Sequence, residues 1–501
     1  MYDLVIKNGL ILDGSGQDGY YADVAIKNGK IAAVGQNLSG RETLDATNLV
    51  VSPGWIDSHS HSDNAVLSYP DQKEKIEQGI TFSITGQCGG SATPRDNQSA
   101  AAWFDQAVAT PQGSGSVLLI GHNTIRRRVM GAENRDPTPE ELEKMKKLVA
   151  EGMDAGAIGM SLGLYYVPGC YTKTEESIAL AKVVAEKGGV LAAHMRNETD
   201  KLVEALEEYL EIARASGCRA VVSHHKVGEK QNWGRVNTTL QMIDKANAEG
   251  MDVYMDVYPY VATHTTLLAR FLPVQFHPPG TTDRVKLLDD PEIIAAAKAW
   301  GKARWGETID WARLTKVPDC EEFRGLTIHQ VSEKLGFDDD FDTVFYLARK
   351  TKGNGAGCFF MMSEEDTCTV MSHPRAMICT DSNVAMGNDT YHPRLRGSFP
   401  RALGRYAREQ QVVSIPEMIR KMTSLPAHVY SLESKGWIKE GYDADICIFD
   451  PVTIRDQADF GKCTLPNTGL NYVLVDGKVV VKDGVYNGIR AAKVYRRGFD
   501  V

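Results

Sequence analysis

The stretch Asp57-Ser58-His59-Ser60-His61 follows directly on an apolar run, residues 49–56 (LVVSPGWI). Side chains alternate between the two faces of a strand, so Asp57, His59 and His61 share one face. Paired imidazoles at the end of an apolar strand pack poorly and bind metals well. A solvated histidine pair beside a turn is the usual alternative. The metal interpretation is favoured because further donor residues follow apolar runs in the same way: Cys88, His194, His224 and Asp381.

Strand-like runs alternate with amphipathic helices through the middle of the chain. Beyond the runs that precede His61 and Cys88, strands are predicted at residues 117–122, 157–161, 190–194, 220–224, 253–257 and 376–380. A helix at 136–154 begins with a capping box formed by Thr138 and Glu141. Repeated βα units predict a parallel sheet. Donor residues at the carboxyl ends of several strands favour an α/β fold of the (β/α)8 TIM-barrel type over an open doubly wound sheet.

Both ends of the chain are rich in short strands and tight turns. Asn8-Gly9 and Asn28-Gly29 each predict a hairpin turn, and residues 472–481 predict a further hairpin. We expect one small β-sandwich domain assembled from residues 1–52 and 433–501, with the barrel formed by residues 53–432. Two unrelated terminal hairpins are the alternative. Residues from about 263 to 345 interrupt the βα pattern and predict an insertion with its own helices, long enough to cover a pocket.

The composition is that of an ordinary globular protein. The chain has 501 residues, of which 43% are hydrophobic and 24% are charged. A net charge of −9 argues against a nucleic-acid partner. No apolar run approaches the roughly 20 residues of a membrane helix, so no membrane partner is expected. Nine cysteines without paired spacing, and an N-terminus without a signal-peptide pattern, predict a cytoplasmic location. The oligomeric state does not follow from the sequence.

Cys88 and Asp381 each have an ordinary and a chemical interpretation. A lone cysteine is often a small buried residue, but Cys88 follows a strand-like run and precedes two glycines that allow close approach. Thiolate and imidazole together suit zinc. Asp381 could cap a turn. At the end of a late barrel strand, it is also well placed as a general base that passes a proton from a metal-activated water to a leaving nitrogen.

His224 and His225 are adjacent, so a continuing strand would send them to opposite faces. Only one of the two can then face the barrel mouth. Lys226 shares the side of His224.

Eight short motifs, taken in order, resemble the N-acyl-D-amino-acid deacylases (D-aminoacylases) of the amidohydrolase superfamily. They span nearly the whole chain: residues 54–63 (GWIDSHSHSD), 86–89 (GQCG), 159–169 (GMSLGLYYVPG), 194–198 (HMRNE), 223–226 (SHHK), 256–260 (DVYPY), 380–382 (TDS) and 392–400 (HPRLRGSFP). The resemblance implies a metal-dependent hydrolase, usually with zinc.

The resemblance also implies how the ligands divide between two sites. Cys88, His194 and His224 would hold one tight metal. A second, weaker site would be lined by His59, His61 and Asp381, with Asp381 as the catalytic acid and base. Most of the superfamily bridges two metals with a carboxylated lysine on the fourth strand, and residues 157–161 (AIGMS) contain no lysine. One essential metal is therefore favoured over two.

By the same resemblance, Lys226, Tyr258 and Arg394 are the candidates for binding the α-carboxylate of an N-acyl amino acid. Their respective alternatives are a solvated lysine, a packed tyrosine and a structural ion-pair partner. The family usually has a Ser-Thr pair after Tyr-Pro-Tyr, whereas this chain has His264 at the place of the serine. This departure indicates a shifted specificity or a displaced loop.

The expected function is hydrolysis of N-acyl-D-amino acids to a carboxylate and a free D-amino acid. Two alternatives remain open. A cyclic-amide hydrolase of the dihydroorotase or hydantoinase kind predicts a bridging lysine on the fourth strand, and a non-catalytic scaffold of the same fold predicts lost ligands. The residues alone do not determine the preference for D over L forms, or the preferred side chain and acyl group.

Overall fold

A computed structural model describes residues 1–95, 98–384 and 392–499 of the chain. In chain order its strands are β1 (Tyr2–Ile11), β2 (Tyr20–Lys27), β3 (Lys30–Gly35), β4 (Gly40–Asp45), β5 (Val50–Pro53), β6 (Trp55–Asp57), β7 (Ile80–Thr85), β8 (Gly115–Gly121), β9 (Gly159–Gly163), β10 (Val190–His194), β11 (Arg219–Val222), β12 (Val253–Val257), β13 (Thr263–Thr266), β14 (Ala312–Lys316), β15 (Ala356–Phe359), β16 (Ala376–Ile378), β17 (Ile446–Phe449), β18 (Leu470–Val475), β19 (Lys478–Lys482) and β20 (Val485–Tyr486).

The α-helices connect these strands. They are α1 (Ala65–Ser68), α2 (Lys73–Ile76), α3 (Ala100–Ala109), α4 (His122–Met130), α5 (Pro139–Asp154), α6 (Thr174–Glu186), α7 (Leu202–Ser216), α8 (Val236–Ala248), α9 (Leu267–Phe271), α10 (Pro291–Trp305), α11 (Ile328–Leu335), α12 (Asp340–Lys350), α13 (Glu364–Ser372), α14 (Arg394–Arg401), α15 (Ile415–Met422) and α16 (Ser424–Val429). A π-helical segment, Ala402–Glu409, continues α14. No helix in the described part of the chain is long and apolar enough to cross a membrane.

Eight parallel strands form the barrel, which confirms the predicted fold class. The order β6-β7-β8-β9-β10-β11-β12-β16 follows the chain, and every neighbouring pair is parallel. Inward-facing side chains such as Ile56, Phe82, Val117 and Met377 fill the interior. As predicted, Thr138 and Glu141 close a capping box at the start of α5. Because the strands are parallel, their carboxyl ends all open at one mouth.

Hydrogen bonds beyond the ends of β6 and β16 close the ring. Ser58 Oγ donates to the carbonyl of Ile378 over 3.0 Å. The amide of Asp381 donates to the carbonyl of His59, and the amide of His61 donates to the carbonyl of Ser382, each over 2.9 Å. The first and last strands therefore meet at the mouth of the barrel.

The two ends of the chain share one nine-stranded, mostly antiparallel sheet, as expected of a domain built from both termini. Its order is β20-β19-β18-β17-β5-β1-β2-β3, with β4 paired to β1. Asn28-Gly29 forms the predicted hairpin turn between β2 and β3. The hairpin predicted at Asn8-Gly9 is wrong. These residues form an irregularity inside β1, where a side chain on Gly9 would collide with Val51. The domain limits at residues 52 and 433 stay predictions.

The segment after β12 forms a separate layer. Strands β13, β15 and β14 make a three-stranded antiparallel sheet, and α9 to α12 pack with it. Leu267, Phe271, Phe341 and Phe359 lie in its own apolar core. Strand β15 belongs to this sheet although it follows residue 345, the limit expected from the sequence.

Candidate metal centre and substrate pocket

The candidate metal ligands lie at the carboxyl ends of five barrel strands. His194 is the last residue of β10. The others follow their strands by two to four residues: His59 and His61 after β6, Cys88 after β7, His224 after β11, and Asp381 after β16. All six side chains meet at the mouth of the barrel, although they are spread over most of the sequence.

Three of these residues have a left-handed backbone. The φ angles are 52° at Cys88, 38° at His224 and 46° at Asp381. Such values are uncommon outside glycine, and they cluster where a structure holds a functional group in place. The turn at His224 also separates it from its neighbour. His225 is buried away from the mouth, with Nε2 2.9 Å from Thr239 Oγ1.

Cys88 lies at the centre of three histidines. Its Sγ is 3.3 Å from His59 Nε2, 3.6 Å from His194 Nδ1 and 3.3 Å from His224 Nε2. For tetrahedral zinc, with bonds of about 2.3 Å to sulfur and about 2.1 Å to nitrogen, the sulfur–nitrogen separation is about 3.6 Å. The observed spacings, together with the soft thiolate and imidazole donors, fit a zinc-type ion.

Asp381 forms a second group with the histidines that follow β6. Its Oδ1 is 3.1 Å from His61 Nε2 and 3.6 Å from His59 Nε2. The other oxygen, Oδ2, accepts a hydrogen bond from Arg394 over 2.7 Å. His59 contacts both Cys88 and Asp381, so the two donor groups are contiguous.

The electrostatics of the centre favour a thiolate and a carboxylate. Burial raises the pKa of Cys88, but His59 and His224 lower it by more, so that it lies well below its usual range. Burial likewise raises the pKa of Asp381, and Arg394 and His224 bring it well below its usual range. Burial lowers the pKa of His61, but hydrogen bonds to Asp381 and Cys88 raise it to about 9. A metal that binds at this nitrogen would therefore displace a proton.

Glu198 is a site residue that the sequence analysis missed. Its Oε1 lies 3.0 Å from His224 Nδ1 and 2.7 Å from Lys226 Nζ, and its Oε2 lies 3.5 Å from His194 Nε2. Carboxylates that bind the outer nitrogen of ligand histidines fix the ring orientation. The spacing of four residues between His194 and Glu198 is a signal that could have found it. Asp256 supports the same site, because its Oδ1 accepts from the amide of His224 over 2.6 Å.

The structure brings the predicted substrate-binding residues to one pocket with the metal centre. The cavity measures about 1000 Å³ and is lined by Lys226, Tyr258, His264 and Arg394 together with Cys88 and Asp381. The cations of Lys226 and Arg394 lie 5.6 and 5.1 Å from the centre of the Tyr258 ring. Each cation is also ion-paired, Lys226 with Glu198 and Arg394 with Asp381. The structural ion pair considered for Arg394 is therefore present.

His264 lies in β13, at the edge of the inserted sheet. Its Nε2 is 3.0 Å from Thr315 Oγ1. Burial and the neighbouring Arg394 lower the pKa of His264 to about 3, so its imidazole is neutral at physiological pH. A neutral imidazole has one donor and one acceptor nitrogen, of which Nε2 contacts Thr315, in place of the hydroxyl expected there.

The chain is similar to known proteins over nearly its whole length. Residues 42–481 match the model of the amidohydrolase family. The chain is 33% identical to a D-aminoacylase of Alcaligenes xylosoxydans xylosoxydans, covering 99% of this chain and 98% of the relative. A solved N-acyl-D-glutamate deacylase from Bordetella bronchiseptica, complexed with zinc and a phosphonate inhibitor, is 32% identical with a TM-score of 0.84 and 99% coverage of both chains.

A solved D-aminoacylase described as having a binuclear metal centre is also 32% identical, with a TM-score of 0.85, covering 99% of this chain and all of that one. Cyclic-amide hydrolases are more distant. A dihydroorotase of Lactobacillus johnsonii is 24% identical over 99% of both chains.

Proposed function

Because the chain belongs to the amidohydrolase family and, within it, to the D-aminoacylases, we propose that it hydrolyses the amide bond of N-acyl-D-amino acids. Water and the acylated amino acid give a carboxylate and a free D-amino acid. The observation that carries the proposal is the contact of one cysteine with three histidines, beside a carboxylate, at the mouth of the barrel.

We infer that zinc is the metal. Cys88, His194 and His224 would hold it tightly, and His59, His61 and Asp381 would line a second, weaker site. The soft donors and the sulfur–nitrogen spacings support this assignment. When bound, the metal lowers the pKa of a water and polarises the scissile carbonyl.

Asp381 is the proposed acid and base. Its carboxylate is ionised, because Arg394 and His224 hold its pKa low. It is only partly exposed at the mouth, where an attacking water can reach it. It takes the proton from that water and then gives it to the departing nitrogen. Arg394 holds one carboxylate oxygen, which leaves the other to face His61 and the reacting groups.

The α-carboxylate of the substrate would bind among Lys226, Tyr258, His264 and Arg394. Burial and the ring of Tyr258 hold the two cations in fixed positions. Asp381 accepts one hydrogen bond from Arg394, which leaves further guanidinium hydrogens for a ligand. Lys226 Nζ already contacts Glu198 Oε1, His224 Nδ1 and the carbonyl of His224, so it would attract the carboxylate mainly through its charge. A D-amino acid and its L form would present their side chains to different walls of this pocket.

Two other cations in the pocket bear on the substrate side chain. Arg270 and Lys316 line the cavity, and among the described residues neither forms an ion pair with a carboxylate. The Nε of Arg270 is buried without a hydrogen-bond partner. A second carboxylate on the substrate would satisfy these groups, so the test substrates include N-acyl-D-aspartate and N-acyl-D-glutamate.

The alternatives have less support. Strand β9 contains no lysine that could bridge two metals, as a typical cyclic-amide hydrolase would require. All six candidate ligands are present, whereas a non-catalytic scaffold would be expected to lose some of them.

The test is amino-acid release by zinc-loaded protein from N-acetyl amino acids in D and L forms. We expect free amino acid from D forms only. Cys88→Ala is the matched control for contaminating activity. Release from L forms at equal rates would overturn the stereochemical part of the proposal. Turnover of hydantoins or dihydroorotate, without any release from N-acyl substrates, would overturn the substrate class.

A further inference from the structure

A charged pair is completely buried beneath the metal centre. Lys75 in α2 and Asp57 at the end of β6 both have side chains with no exposed surface, and they form an ion pair. Lys75 Nζ also donates to Thr380 Oγ1 over 2.7 Å and to Ser382 Oγ over 3.4 Å. Taking two charges out of water is costly, so a buried ion pair is weak evidence for a gain in stability. Its position indicates another role.

The pair joins the first and last strands of the barrel. Asp57 Oδ1 accepts from the amide of Thr380 over 2.8 Å, and Oδ2 accepts from Thr380 Oγ1 over 2.6 Å. Strands β6 and β16 are the two ends of the strand order, and in the described part of the chain their backbones are joined by one isolated bridge, between Ser60 and Ser382. The contacts among Asp57, Lys75 and Thr380 therefore link the first and last strands of the barrel. We call these contacts the fastener, and the junction of β6 with β16 the seam.

The residues that flank this fastener belong to the metal centre. His59 and His61 follow Asp57, and Asp381 follows Thr380. The distance from His61 Nε2 to Asp381 Oδ1 is 3.1 Å, and that from His59 Nε2 is 3.6 Å. We propose that the Lys75–Asp57 pair is a positioning device that sets the spacing between Asp381 and these two histidines. This inference rests on the proposed function, because it takes Asp381 as the acid and base.

The tight metal ligands depend less on this seam. His194 ends β10, and Cys88 and His224 follow β7 and β11; all three strands lie within the regular parallel ladder. Loss of the fastener should therefore displace Asp381 and weaken the second metal site while the tight metal stays bound. A displacement of about 1 Å at a reacting group can cost about 100-fold in rate.

The test is the double variant Lys75→Met with Asp57→Asn. It keeps the shapes of both side chains and leaves no unpaired buried charge. The matched control is Arg126→Met with Glu176→Gln, which removes another buried ion pair away from the pocket. Circular dichroism and thermal melting establish that both proteins fold. A single variant, Lys75→Met, adds a measure of the cost of leaving Asp57 alone.

Three measurements distinguish a positioning role of the Lys75–Asp57 pair from a general contribution to the stability of the fold. We expect the double variant to retain one tightly bound zinc per chain, to lose at least tenfold in kcat with KM within about twofold, and to bind a second zinc at least tenfold more weakly by calorimetry. The control variant should change none of these. Unchanged second-zinc affinity in the double variant overturns the inference, as does an equal loss in the control.

The zinc titration requires no turnover. It therefore decides the inference even if wild-type protein proves inactive on every N-acyl substrate, an outcome that would overturn the proposed function alone.

Discussion

Replacing Asp381 by asparagine tests its proposed role as the acid and base in amide hydrolysis. Asparagine keeps the size of the side chain and one oxygen that can accept the hydrogen bond from Arg394, now 2.7 Å from the carboxylate. It removes the ability to take and return a proton. The three contacts of Cys88 with His59, His194 and His224 do not involve Asp381 and should persist.

We expect Asp381→Asn to lower both kcat and the free energy of unfolding. General acid–base catalysis contributes about 100- to 10,000-fold, so kcat should fall by that factor, or about 3–5 kcal/mol in activation free energy. The side chains of Arg394 and Asp381 are only 7% and 12% exposed. Breaking a buried ion pair completely costs about 3–5 kcal/mol of stability. Because the asparagine oxygen still accepts from Arg394, we expect a loss in unfolding free energy below that range.

The assay combines single-substrate kinetics, zinc content after gel filtration and urea unfolding. The expected protein is folded, holds its tight zinc and is nearly inactive. Arg394→Lys is a useful comparison, because it keeps the charge beside Asp381 and leaves the acid and base in place. A variant Asp381→Asn with kcat within tenfold of wild type would refute the assignment of the acid and base.

Three other changes probe separate parts of the structure. Cys88→Ala should abolish zinc binding and turnover together by metal analysis; stoichiometric zinc in this variant would contradict the ligand assignment. Lys226→Met should raise KM about tenfold, since a hydrogen bond to a charged group contributes about 1.5–3 kcal/mol; an unchanged KM would exclude substrate contact. Glu176→Gln should lower the unfolding free energy at pH 7 by about 3 kcal/mol. Burial raises the pKa of Glu176, but His122 and Arg126 bring it below its usual range. The Glu176 carboxylate therefore stabilises the fold fully above the pKa of about 4.3 that it has in the unfolded chain. This stabilisation is lost as the pH falls through the lower pKa of the folded state. Unfolding free energies of wild type and Glu176→Gln, measured with urea, should converge at that pH.

The barrel and the six candidate ligands could be predicted from the sequence because both depend on local pattern. Apolar runs of strand length identify β7, β10 and β11, and parallel strands bring their carboxyl ends to one mouth. A histidine or cysteine just after such a run therefore lies near the others, whatever its distance along the chain. The left-handed backbone at Cys88 and His224 could not be foreseen, because few residues other than glycine adopt it.

Other features depend on contacts that a local pattern does not encode. Asn8-Gly9 has the composition of a hairpin turn, yet neighbouring strands hold it inside β1. Lys75 lies in the charged stretch DQKEKIEQG, residues 71–79, whose composition is typical of a solvent-exposed helix. Its burial follows only from the packing of α2 beneath β6 and β16. The contacts of Glu198 with His194 and His224 likewise arise from a loop that folds back over the two histidines.

The candidate ligands are contributed by strands at opposite ends of the barrel sequence, so a metal bound by them would be coupled to closure of the ring. His59 and Asp381 are 322 positions apart, yet their side chains lie 3.6 Å from each other. An ion held by these strand ends binds the closed ring and has no equivalent site in an open one. By thermodynamic linkage, ring closure strengthens the binding free energy of such an ion by the same amount as the bound ion stabilises the closed ring. A fastener such as Lys75–Asp57, which closes the seam without the ion, therefore raises the affinity of the site by lowering the cost of assembling it.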